Sequence, residues 1–160
     1  MPHRNSLTKR RESVATAEVA APSIGIEVVP IQVENAVVIE RAIASVAQVA
    51  HSGLMLPPDA GTFTHRDLVA TLAARHKLPA VYPIQVFVIA GGLMSYATDQ
   101  KDMFRLAASY VDRILRGDKP GDLPVQIPTR YETAINLKTA NALGLAIPPA
   151  LLIVAHDLIE

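Results

Sequence analysis

The chain has 160 residues, half of them hydrophobic, with fifteen basic and fifteen acidic side chains and no cysteine. That is one domain's worth of chain with enough apolar surface for a core, and a formal net charge of zero leaves no positive surplus to hold a phosphate backbone, so nucleic acid is not an expected partner. The absence of cysteine excludes a disulfide framework, a thiolate metal site and a thiol nucleophile. The longest apolar run, about residues 80–97, is interrupted by Pro83, Gln85 and Gly91-Gly92, so it reads as a buried core and not as a membrane span.

Residues 1–13, MPHRNSLTKRRES, are polar and basic and read as a solvated tail or frayed helix start. They are not followed by the short apolar region and small-residue cleavage site of a secretory signal, so the chain as written is expected to carry no export signal. VATAEVAA is helix-like and ends at Pro22 and Gly25. IEVVPIQV reads as a β-branched strand, and Pro30 inside it argues for an edge position. Asn35 is placed to cap the next helix, whose Val38, Ile39, Ala42, Ile43 and Val46 recur at helical spacing. GLML is a short buried strand stopped by Pro57-Pro58. Thr64 with Asp67 three places on makes a capping-box-like start to a helix containing Leu68, Val69 and Leu72.

Residues 78–97, LPAVYPIQVFVIAGGLMSYA, form the stretch around which the chain is organised. PAVYP is a brief strand entered and left by prolines, and 84–90 is a short apolar piece where Gly91-Gly92 permits a helix stop before LMSY. A parallel crossover usually takes a dozen or more residues, so so short a link predicts that the chain passes between two sheets here. Asp99 then caps a long helix with Met103, Ala107, Tyr110, Val111, Ile114 and Leu115 on one face, and Arg113 and Arg116 near its negative end. Residues 117–129, with three prolines and two glycines, form an ordered loop. YETAI reads as a strand, NLKTANALGL as a short helix ending at Gly144, and Pro148-Pro149 opens a terminal helix through Leu151, Leu152, Ala155 and Ile159. Strands alternating with helices predict a parallel sheet covered on both faces, half of a Rossmann-like lobe.

The run AVYPIQVFVIAGGLMSYATD, followed by LAASYVDRILRGDKPGDLPVQIPTRYETAINLKTANALGLAIPPALL, resembles the C-terminal part of the substrate-binding proteins of bacterial ABC transporters. YVDRILRGDKPGDLPVQIPT and NLKTANALGL at their spacing form a long continuous pattern, and the likeness extends more loosely back to about Val14. It implies an α/β, parallel-sheet, Rossmann-like lobe of the type I periplasmic-binding-protein fold. The lobe is incomplete, because the family has two lobes and about twice this length, and it carries closing elements of the other lobe. In that frame 14–92 is a second-lobe-like α/β unit and 93–160 supplies the crossover and closing elements of the first lobe. The departures include Ala97 after MSY, where relatives often have glycine.

Ligands of such sheets sit beyond the carboxyl ends of the strands, which nominates Pro58 and Asp59, Tyr82 with Gln85, and Ser95 with Tyr96. An amino acid needs an acceptor for its ammonium, donors for its carboxylate and an apolar or aromatic wall, and Asp59, Tyr82, Gln85, Ser95 and Tyr96 offer that chemistry. Asp59 reads equally as a turn residue, and Tyr82 as a core residue with its hydroxyl at the rim. No enzyme is indicated: histidines at 3, 51, 65, 76 and 156 show no zinc spacing, and there is no nucleophile elbow or phosphate loop. No cofactor or metal is implied. The resemblance implies capture of a small solute such as an amino acid and delivery to an ABC permease. It also implies a periplasmic location, whereas the chain as written, without a signal, is expected to be cytoplasmic. The alternatives are a self-associating structural protein, a homodimer through an unpaired strand edge, or a non-functional fragment with no solute site.

Overall fold

The computed structural model describes residues 14–31, 35–58 and 60–160; the tail read at 1–13 lies outside them, and so does Asp59. Residues 14–20 are helical (α1) and tighten into a 3-10 turn at Ala21–Ile24. Gly25 ends it at φ 71°, and its N–H donates to the carbonyls of Ala21 and Pro22, a left-handed cap that suits a residue without Cβ. Residues 26–31, expected to be a strand, are in none. Pro30 lacks a donor, and exposed Ile26 and Val29 pair with no strand among the described residues. Helix α2 (Ala36–Val46) starts as expected at Asn35, whose side chain accepts from the Val38 N–H at 3.0 Å, and it buries Ile39 and Ile43.

Among the described residues, five strands form one sheet in the order β1 (Leu54–Met55), β2 (Ala80–Tyr82), β3 (Met94–Thr98), β4 (Tyr131–Asn136), β5 (Asp157–Ile159). The β1–β2, β2–β3 and β4–β5 pairs are parallel, and β3–β4 is antiparallel. Helices α3 (Ala60–Thr64) and α4 (Arg66–Arg75) join β1 to β2, and α5 (Gln85–Ile89) joins β2 to β3. The long α6 (Gln100–Leu115) leads toward β4, and α7 (Leu137–Ala142) and α8 (Pro149–Val154) connect β4 to β5. The expected passage between two sheets at 84–92 is thus corrected to a minimal parallel crossover within one sheet. The glycine pair explains it: Gly91 has φ 101°, and a Cβ on Gly92 would lie 2.5 Å from the Tyr82 ring and 2.8 Å from the Phe87 carbonyl. The chain can therefore double back at once and lay β3 beside β2.

Four further expectations change. Residue His65 precedes α4 without a side-chain cap, because the helical path already begins at Ala60 and the Thr64–Asp67 box falls across a break between α3 and α4. The terminal helix stops at Val154, and Asp157–Ile159 pairs with β4 instead, where it covers an otherwise open edge. Among the described residues β1 is itself an edge, with Met55 64% exposed. Finally, the sheet is not evenly covered. The core joins Ile39 and Ile43 of α2, Val69, Leu72 and Ala73 of α4, and Phe87 of α5 to Ala80 and Tyr82 on one face. Side chains alternate along a strand, so the opposite face carries Met55, Tyr96 and Tyr131, all exposed.

Candidate functional site

Strand β2 ends at Tyr82, but β3 and β4 run on past it, because Tyr82 is in register with Ser95 and Ser95 with Ala134, whereas the β3–β4 ladder continues to Thr98 and Tyr131. A two-stranded antiparallel ribbon therefore projects beyond the carboxyl ends of β1 and β2, where the loops at Pro57-Pro58 and Pro83 also lie. The ribbon closes with the Asp99 N–H donating to the Arg130 carbonyl at 3.0 Å. At that point Asp99 turns the chain into α6, its side chain accepting from the Asp102 N–H at 3.0 Å.

The four nominated residues that the structure describes do not form one constellation. Tyr82 is 1% exposed, its ring stacked on Phe87 with centroids 5.0 Å apart, and burial pushes its phenol up to about 12. Ser95 beside it in register is equally enclosed. Both therefore lie in the core beneath the site and not on its surface. Gln85 opens α5 and donates from Nε2 to Asp157 Oδ2 at 2.9 Å, tying the start of α5 to β5. Tyr96 is 57% exposed on the opposite sheet face and stacks on Tyr131, with centroids 5.2 Å apart and rings within 3° of parallel. Pro58 is exposed.

The structure adds residues that the strand-end argument passed over. An open cavity of about 440 Å³ at the ribbon's end is lined by Asp99, Thr129, Arg130, Tyr131, Glu132 and His156. His156 is held at the entry to β5, its N–H donating to the Thr133 carbonyl at 2.8 Å and its Nδ1 accepting from the Thr133 N–H at 3.2 Å. In the neutral ring this leaves the proton on Nε2. The set mixes two carboxylates, a guanidinium, an imidazole and a phenol, which is polar recognition chemistry with an aromatic edge. Only the antiparallel pairing of β3 with β4, and the strand at the chain's end, bring these residues together. Neither could be read from local pattern. Among the described residues no three His, Asp or Glu side chains converge as metal ligands, and no helix is long and apolar enough to cross a membrane.

A family model for ABC transporter substrate binding proteins matches residues 4–159. The chain belongs to that family. Its fold agrees with solved structures: a conserved domain protein from Vibrio cholerae is 24% identical with a TM-score of 0.81, over 92% of this chain and 50% of the other. An ABC domain from Streptococcus pneumoniae, solved in complex with L-Trp, is 25% identical with a TM-score of 0.82, over 93% of this chain and 51% of the other. A substrate binding protein with adhesive properties from Clostridium difficile, in its ligand-free open form, is 19% identical with a TM-score of 0.67, over 100% of this chain and 52% of the other. The chain spans about half the length of each of these structures. No curated protein matches it in sequence. None of these likenesses supports a homodimer through a strand edge. They bear out the expected family and the α/β, mostly parallel sheet.

Proposed function

We propose that this chain is the solute-capturing part of an ABC transport system. It would bind a small molecule such as an amino acid beyond the carboxyl ends of β1 and β2, outside the cytoplasm, and present it to a permease without chemistry. The observation that carries this reading is the family match along 4–159, joined to a neighbour of the same fold solved with L-Trp. In this reading Tyr96, stacked on Tyr131, provides an aromatic wall and Gln85 a polar contact, Tyr82 and Ser95 support the sheet from within the core, and the contact proposed for Asp59 lies outside the described residues.

The division into 14–92 and 93–160 belongs to the same proposal. Helix α6 is amphipathic, yet no residue of it is buried, and Phe104 and Leu115 are 74% and 82% exposed. A sixteen-residue helix with an uncovered apolar face fits an element whose packing partner is another lobe. A thermal-shift screen against the twenty amino acids tests the reading, because a ligand that binds only the folded state raises the melting temperature by mass action. A saturable rise for one solute class is expected. A cooperative melt that no solute moves would favour a self-associating or functionless chain.

A further inference from the structure

Strand β5 is three residues long, and a side chain closes the start of its ladder. The N–H and C=O of one strand residue point to the same neighbouring strand. The Thr133 carbonyl accepts the His156 N–H at 2.8 Å, so the Thr133 N–H faces β5 as well. A parallel ladder would meet that N–H with a backbone carbonyl from the chain before His156, but there the chain is still in α8 as far as Val154. The His156 ring takes the carbonyl's place, its Nδ1 accepting from the Thr133 N–H at 3.2 Å. Thr133 is 6% exposed, and a donor enclosed to that degree is costly to leave without an acceptor.

Only the neutral ring can make this bond. An imidazole takes up its second proton between about pH 5 and 8, after which both nitrogens carry hydrogen and neither accepts. Two N–H groups would then face each other at Thr133. His156 is exposed, so water can bring the proton. The ionisable groups that share its cavity are Asp99 at the start of α6 and Arg130, Tyr131 and Glu132 at the start of β4. Asp157 follows it in β5 and is engaged by Gln85, and α8, PALLIV, brings no ionisable side chain. The Asp99 and Glu132 carboxylates offer an imidazolium acceptors in place of the donor at Thr133.

We propose that His156 is an acid-sensitive latch between β4 and β5. With the ring neutral, Nδ1 completes the ladder and holds β5 on the edge of β4. With the ring doubly protonated, the latch opens, β5 frays from its first residue and the edge of β4 is uncovered. Because the bonded form is the neutral one, the latch is closed above the imidazole range and opens as pH falls through it.

The test is amide hydrogen exchange of the full chain, read residue by residue by nuclear magnetic resonance at about pH 7.5 and about pH 5 and expressed as protection factors, which remove the intrinsic pH dependence of exchange. Protection at Thr133 and Leu158 should fall on the order of tenfold at the lower pH, the usual effect of one buried donor without its partner, while Ala80–Tyr82 in the core stay protected. The Thr133 amide signal should move in step with the signals of the ring nitrogens. His156→Ala should show the low protection at both pH values, with the core still protected. Protection at Thr133 that His156→Ala leaves at the parent's level, or an acid loss that persists in that variant, would overturn the latch. So would a ring that titrates while Thr133 and Leu158 keep their protection, or an acid loss spread equally over Ala80–Tyr82, which is global unfolding.

Discussion

Replacing Gly92 by alanine is the sharpest perturbation of the crossover that sets β3 beside β2. The added methyl would sit 2.5 Å and 2.9 Å from two carbons of the Tyr82 ring and 2.8 Å from the Phe87 carbonyl oxygen. None of these atoms can yield cheaply. Tyr82 is 1% exposed and stacked on Phe87, which is itself fully buried, and the Phe87 carbonyl accepts the Gly92 N–H at 2.8 Å. Overpacking a filled core costs about 1–3 kcal/mol, and a clash with both a locked ring and backbone belongs at the upper end, about 3 kcal/mol. For a chain of this size that lowers the melting temperature by roughly 6–12 °C. Gly121→Ala, where a Cβ meets nothing within 4 Å, should melt with the parent. Melting by circular dichroism distinguishes the two, and adding Tyr82→Ala to Gly92→Ala should return part of the loss as a coupling between the sites. A Gly92→Ala chain that melts like the Gly121→Ala control would refute the packing argument.

Alkaline pH should expose the burial of Tyr82. Its phenol titrates near 10 when unfolded and is pushed up to about 12 in the fold, so stability is unaffected below pH 10 and falls between pH 10 and 12, by about 2–3 kcal/mol in total; denaturant melts of Tyr82→Phe should lack that component of the slope. Asn136 caps α7 through the Thr139 N–H at 2.9 Å and donates to the Val88 carbonyl at 3.3 Å. Asn136→Ala should therefore cost about 2 kcal/mol in urea unfolding. Phe104→Glu with Leu115→Glu should change stability by less than about 0.5 kcal/mol per site, because both lie on the uncovered face of α6. A large loss would show that α6 packs on this chain's own core.

Much of the layered order was legible because it depends on local chemistry. Asn35 and Asp99 both cap the helices expected of them, Ile39 and Ile43 both face inward, and PAVYP and LMSYA both give strands. The misreadings concern what a strand pairs with. IEVVPIQV has the composition of a strand, yet strand formation needs a neighbour, and residues 26–31 have none among the described residues. DLI carries on the apolar run of α8, and only the open edge of β4 turns it into a strand. At the candidate site the same limit applies. Counting along strands finds Tyr82, Gln85, Ser95 and Tyr96, but alternation sends Ser95 into the core and Tyr96 to the opposite face. Arg130, Glu132 and His156 join the cavity through pairings that no spacing in the sequence announces.

Solute capture is tested most directly by nuclear magnetic resonance of the isotope-labelled chain titrated with L-tryptophan. The account predicts saturable shifts confined to the carboxyl ends of β1 and β2 and the β3–β4 ribbon, at Gln85, Tyr96, Arg130, Tyr131 and Glu132. Well-dispersed spectra that L-tryptophan and the other amino acids leave unmoved, or shifts gathered on the apolar face of α6 instead, would contradict it.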